Sequence, residues 1–70
     1  MIDEASAIKI VEDHLASNLP PGWSHAVKGT KRHEHCWAIA VQPYNAEGAA
    51  TYDLMGFEVD IISGALTQWT

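Results

Sequence analysis

The run from Glu34 to Val41, with the sequence EHCWAIAV, is the feature that most restricts how this chain can fold. It is nearly uncharged and apolar, which is typical of a central β-strand. Because side chains alternate along a strand, one face would carry bulky residues and the other small ones. The bulky face consists of Trp37, Ile39 and Val41. The small face consists of Cys36, Ala38 and Ala40. Since neither face is polar, we expect the strand to be covered on both sides, or covered on one side and closely approached by a partner on the other.

An amphipathic helix is predicted ahead of this strand, from Asp3 to about Asn18. Apolar residues recur there at three- and four-residue steps, at Ile8, Val11 and Leu15. Asp3 is a favourable N-cap because its carboxylate can accept from free N–H groups of the first turn. Proline cannot continue a helical hydrogen-bond ladder, so the segment LPPG at residues 19–22 should end the helix.

The segments on either side of the central strand predict a hairpin. Trp23 to Lys28 contains β-favouring residues and is predicted as a strand. The polar, glycine-containing segment from Gly29 to His33 is predicted as the surface loop that joins it to the central strand. Pro43 is expected to end the central strand, and Tyr44 to Gly48 to form a loop.

The segment from Ala49 to Ile62 is predicted as strand, but its alternation changes phase. Tyr52 and Leu54 fall on even positions, whereas the later apolar residues fall on odd ones. Either a β-bulge at Gly56 restores the phase, or two short strands meet at a turn there. A turn at Ile62-Ser63-Gly64 should then lead into a last edge strand from Ala65 to Trp69.

This element order, α-β-β-β-β, indicates an α+β fold in which one helix packs on an antiparallel sheet of three to four strands. Seventy residues allow one domain, residues 1–70. A chain of this length buries only about 60% of its unfolded surface, so association with a partner is an expected source of further stability.

Charge and cysteine content restrict the function. The formal net charge is −5, from nine acidic and four basic side chains, which argues against direct nucleic-acid binding. The single cysteine, Cys36, excludes an intramolecular disulfide and fits a cytoplasmic location. The sequence has neither a secretion signal nor an apolar run long enough to cross a membrane.

No catalytic or cofactor signature is recognised, so the chain is predicted not to be an enzyme. His33 and His35 alternate on a strand and would need His25 to make a metal site, so the preferred interpretation is a solvated hairpin end and no metal. Cys36 lies in an apolar strand, where a cysteine is usually inert packing rather than a nucleophile.

The aromatic residues and His14 are read mainly as structural. Trp37 is predicted to lie in the core, and His14 on the flank of the helix. Trp23 and Trp69 lie near the ends of elements, where an aromatic side chain either seals the core or anchors a partner, and sealing the core is the preferred interpretation.

The small face of the central strand is the predicted partner-binding site. Glu58 and Asp60 alternate with core residues and should face away from the core. If the strand register matches, they lie on the same side as the small residues of the central strand. The predicted site consists of Cys36, Ala38, Ala40, Glu58 and Asp60. For Asp60 alone, acceptance of turn N–H groups ahead of Gly64 is the simpler interpretation.

Three segments, AIKIVE from Ala7, HEHCWAI from His33 and GFEVDIISG from Gly56, give the chain a resemblance to the YrhB-like family of small bacterial immunity proteins. The segment from Gln42 to Met55 is shorter than the corresponding part of that family. The resemblance implies a protein that neutralises a toxin by direct contact. Residues 57–64 also resemble the strand and turn of PepSY-type inhibitor domains, which are likewise not enzymes.

Other functions stay open at this point. A phage-encoded inhibitor of a host defence complex would use the same kind of contact, and a homodimer joined through the sheet would also cover the small face. A small metal-dependent enzyme that uses His25, His33 and His35 is the competing class.

Overall fold

A computed structural model of the protein describes residues 1–51 and 53–70. One helix is followed by four strands, and all strand pairs are antiparallel in the order β1-β2-β3-β4. The elements are α1 (Glu4–Asn18), β1 (Ser24–Arg32), β2 (Cys36–Tyr44), β3 (Met55–Asp60) and β4 (Leu66–Gln68). The predicted α+β fold with the order α-β-β-β-β is therefore confirmed, with four strands. Within the described ranges, no helix combines the length and the apolar character needed to cross a membrane.

The helix begins and ends where its sequence predicts. Asp3 is the N-cap, and its carboxylate accepts from the Ser6 backbone N–H at 2.8 Å. That hydrogen bond lowers the pKa of the Asp3 carboxyl below its usual value. At the other end, Leu19 is extended ahead of Pro20, and its N–H still donates to the Leu15 carbonyl at 2.8 Å.

The core lies between the helix and one face of the sheet. Val11 and Leu15 are buried as predicted, but Ile8 is only half-buried and Ala7 takes the fully buried position. The sheet contributes Ile39, Val41, Phe57, Val59 and Ile61. Each large side chain buried in this way stabilises the fold by about 1.5–3 kcal/mol.

The first strand is longer than predicted. Gly29 to His33 was expected to be a loop, but β1 continues through that segment to Arg32. The pairing with β2 shifts between Val27 and Gly29, which is a β-bulge at Lys28. Beyond the bulge, the Thr30 hydroxyl donates to the Glu4 carboxylate at 2.6 Å, which ties this part of the strand to the helix. The connection to β2 is correspondingly short.

The central strand β2 also extends beyond its predicted end. It starts at Cys36 rather than Glu34, and Pro43 lies inside it, buried and opposite His25. The prediction that Pro43 ends the strand was therefore wrong. The pairing with β3 stops at Val41, so Pro43 occupies a part of β2 with an open edge, where a missing N–H is tolerated.

Neither predicted explanation of the change in alternation before β3 is correct. β3 pairs with β2 in unbroken register from Met55 to Asp60, so Gly56 marks neither a bulge nor a turn between strands. Leu54 precedes the strand and is 44% exposed, so it does not belong to the core. Tyr52 lies outside the described residues.

The chain closes with the predicted turn and edge strand. Gly64 has a φ of 76°, a backbone conformation that favours glycine, and its N–H donates to the Asp60 carbonyl at 2.9 Å. β4 then pairs with β3 alone, with Leu66 opposite Val59. The last strand is therefore an edge strand, as expected.

Candidate functional site

The sheet has one face packed on the helix and one face turned away from it, which we call the open face. Cross-strand pairing arranges this open face in rows. The first row is Lys31, Ala38, Glu58 and Thr67. The second row is Gly29, Ala40 and Gly56. A shorter third row is Cys36 and Asp60. The structure thus brings all five residues of the predicted partner-binding site onto one surface.

Trp69 lies against this surface. A Cβ atom built on Gly56 would stand 2.6 Å from the Trp69 ring atoms Cε2 and Cζ2, so the indole rests directly on the Gly56 backbone. Two backbone hydrogen bonds hold the chain there: Trp69 N–H donates to the Gly56 carbonyl at 2.9 Å, and Gly56 N–H donates to the Thr70 carbonyl at 3.0 Å. Trp69 nevertheless remains 62% exposed. Of the two roles considered for Trp69, sealing the core does not describe this position.

A shallow apolar depression lies beside the indole. It has a volume of about 250 Å³ and is lined by Gly29, Thr30, Lys31, Ala38, Ile39, Ala40 and Trp69. Its floor consists of small residues, so another surface can approach the strands closely. Aromatic side chains are enriched at the centre of protein interfaces.

A second depression on the open face is acidic. It has a volume of about 290 Å³ and is lined by His35, Cys36, Glu58, Asp60, Ala65 and Thr67. The Asp60 carboxylate accepts from the backbone N–H groups of Ile62 at 2.8 Å and Ser63 at 2.9 Å. These bonds lower the pKa of the Asp60 carboxyl, so the simpler interpretation, a turn acceptor, is confirmed for this residue. Glu58 is the exposed carboxylate of the depression.

The Cys36 thiol is not set up as a nucleophile. Burial raises its pKa, and the negative charges of Glu58 and Asp60 raise it further. An activated cysteine needs the opposite environment, with a lowered pKa and a base within reach.

The histidines considered as metal ligands lie apart. His25 is opposite Pro43, near the start of β1, and its Nε2 is 2.9 Å from a Glu12 carboxylate oxygen. His33 and His35 lie in the exposed turn after the other end of β1. Over residues 1–51 and 53–70, no three His, Cys, Asp or Glu side chains form a group that could hold a metal ion. His14 instead packs edge-on against Phe57, with ring centroids 5.8 Å apart.

A larger cavity, of about 530 Å³, lies at the end of the sheet where the helix terminates. Leu19, Trp23, Leu54 and Met55 supply much of its apolar lining, and Asn18 and Asp53 are among its polar members. Trp23 is half-buried and lies in the wall of this cavity.

Sequence reasoning missed Gly29 and Lys31 as members of the open face because it placed both in a loop. Thr30 is β-branched, and this residue type would have supported a strand at residues 29–32. Comparison with models of known protein families, with curated proteins and with solved structures gives no significant match.

Proposed function

We propose that this chain is a small non-enzymatic binding protein that docks the open face of its sheet on another protein. One observation carries the proposal: an exposed tryptophan, a floor of small residues and a carboxylate rim lie together on the face that the helix leaves uncovered. Large apolar groups that remain exposed on a soluble domain commonly mark interaction sites.

The charge of the chain favours a basic partner. The net charge is −5, and Glu58 is exposed on the β3 side of the open face. Opposite charges across an interface raise the association rate and select against wrong partners. A basic toxin would satisfy this requirement, and the resemblance to YrhB-like immunity proteins supports a toxin as the partner. The protein would then act in the cytoplasm by covering the active site or substrate surface of that toxin.

Two side chains that could carry out chemistry have structural roles instead, which supports binding over catalysis. Asp60 holds the turn after β3, and His25 pairs with Glu12 of the helix. The Cys36 thiol has a raised pKa and is therefore held in its protonated form.

A capture experiment with matched variants tests the proposal. Wild type, Ala40→Glu and Ala5→Glu are used as bait in lysate of the source cells, and captured proteins are identified by mass spectrometry. Ala40 lies on the floor of the open face, whereas Ala5 is exposed on the helix, so the two substitutions add the same side chain to different surfaces. We expect wild type and Ala5→Glu to retain a basic protein that Ala40→Glu loses.

Binding of the captured protein is then measured in solution. Glu58→Lys should slow association, and added salt should slow association of the wild type. A partner that Ala40→Glu binds as well as wild type would exclude the open face as the docking surface. The identity of the partner separates a toxin from a host defence protein.

A further inference from the structure

The open face carries opposite charges on either side of its centre. Ala38 lies in the middle of its row, with Lys31 on the β1 side and Glu58 on the β3 side. Neighbouring strands are about 4.8 Å apart, so the two charged residues stand roughly 10 Å from each other across Ala38. No ion pair between them is found in the described part of the chain.

The next row combines a projection with a gap. On the β3 side, the Trp69 indole covers Gly56. On the β1 side, Gly29 has no atom within 4 Å of the position that a Cβ would occupy. Ala40 separates the two. The row therefore has a protruding indole ring at the β3 end and open space at the β1 end.

We propose that a second copy of this chain covers the open face, with a two-fold axis parallel to β2 between the two sheets. Such an axis sets the β3 side of each copy against the β1 side of the other. Glu58 of each copy then meets Lys31 of the other, and each Trp69 ring enters the gap above the other copy's Gly29. This inference rests on the proposed function, because it takes the open face to be a docking surface.

The distances suit this arrangement. Packed sheets lie about 10 Å apart, and extended lysine and glutamate side chains that approach from the two sides bridge that separation. The small side chains of Ala38 and Ala40 allow the sheets to reach it. The pair between Glu58 and the other copy's Lys31 forms twice, because a two-fold interface repeats every contact.

The alternative of joining two copies edge to edge is disfavoured by the charges of β1. Its exposed edge is a nine-residue strand that carries Lys28, Lys31 and Arg32 and is interrupted by a bulge at Lys28. Two such edges side by side would bring like charges together, and bulges and lysines are common devices against edge pairing.

The size of the face predicts a weak dimer. Four strands spaced about 4.8 Å apart and about six residues long cover roughly 400 Å², so two copies would bury on the order of 1,000 Å². This is near the lower limit for a specific interface. The dimer would therefore form at micromolar concentration or above, and it would hide the docking surface until a tighter-binding partner displaces the second copy.

Analytical ultracentrifugation with charge-reversal variants tests the proposal. We expect wild type to change from monomer to dimer between micromolar and millimolar concentration. Lys31→Glu and Glu58→Lys should each weaken self-association by roughly tenfold or more, because each turns two attractive pairs into two repulsive ones. An equimolar mixture of the two variants should dimerise again, since the mixed pair restores both attractions. Lys9→Glu and Glu47→Lys make the same charge changes elsewhere and serve as controls, and circular dichroism checks that each variant is folded.

A wild type that stays monomeric up to millimolar concentration would overturn the proposal. So would charge variants that dimerise like wild type, or a mixture that does not recover. This failure is distinguishable from failure of the proposed function, because capture of a basic protein is compared between wild type and Ala40→Glu and does not require self-association. A wild type that stays monomeric but shows Ala40-dependent capture contradicts the dimer alone. A wild type that dimerises as predicted but captures nothing contradicts the proposed partner alone.

Discussion

At the scale of single residues, the position of the Trp69 indole on the open face depends on the absence of a side chain at Gly56. A Cβ atom on Gly56 would stand 2.6 Å from the Trp69 ring and 2.8 Å from Thr70 Cγ2. This glycine is therefore required by contacts from the segment after β4 rather than by its own backbone angles. That requirement was not visible in the sequence, where the two residues are far apart and the change of alternation near Gly56 suggested a bulge. Cross-strand register decides it, and register depends on tertiary packing.

Two glycine substitutions test this contact. Gly56→Ala should destabilise the fold by about 1–3 kcal/mol, because the ring must move or the strand must shift. Gly29→Ala is the matched control: its new methyl group enters open space, and the change in the free energy of unfolding should be within about 0.5 kcal/mol. Urea unfolding measures both. Adding Trp69→Ala to Gly56→Ala should recover part of the lost stability, and no recovery would mean that the indole is not what excludes the methyl group.

The reactivity of Cys36 is a second residue-scale prediction. Since burial and two neighbouring carboxylates raise its pKa, the thiolate is scarce near neutral pH. Alkylation by iodoacetamide should therefore be slower in the folded protein than in urea-unfolded protein at the same pH. Glu58→Gln should speed the folded-state reaction by removing one negative charge. A folded-state rate equal to that of the unfolded chain would contradict the assigned environment.

At the scale of elements, one carboxylate stabilises the start of the helix and another stabilises the turn at the end of β3. Asp3 caps the helix, and Asp60 accepts two N–H groups of the turn after β3. Local sequence predicted both, because capping and turn acceptance depend only on nearby residues. The lengths of β1 and β2 were predicted less well, because they depend on contacts with distant segments. Thr30 is held in β1 by a hydrogen bond to the helix, and Pro43 is tolerated in β2 because the pairing with β3 ends at Val41.

These two carboxylates predict an acid-sensitive stability. Their pKa values are lowered in the folded state, so their contribution is complete above the usual aspartate value and is lost as the pH falls through the lowered value. Between about pH 5 and about pH 3, wild type should lose more stability than Asp60→Asn or Asp3→Asn, whose amide oxygens still accept but do not titrate. Glu47→Gln, in an exposed turn, is the control. Equal losses in wild type and both asparagine variants would contradict the prediction.

At the scale of the whole molecule, one helix covers one side of a four-stranded sheet and leaves the other side to be covered. Alternation along β2 was enough to predict both the fold class and the two faces, because Ile39 and Val41 face the core while Ala38 and Ala40 do not. Gly29 and Lys31 lie on the open face because β1 pairs with β2. Trp69 lies there because the segment after β4 is hydrogen-bonded to Gly56. The position of Lys31 and of the protruding Trp69 indole on this face could therefore be found only from the assembled sheet.

The central claim is that the open face is the surface that docks, and alanine-methyl NMR tests it most directly. Spectra are recorded as the protein is concentrated and as the captured partner is added. The methyl signals of Ala38 and Ala40 should shift in both titrations, while those of Ala5 and Ala16 on the exposed helix surface stay in place. Shifts confined to Ala5 and Ala16, with Ala38 and Ala40 unchanged at saturation, would contradict the claim.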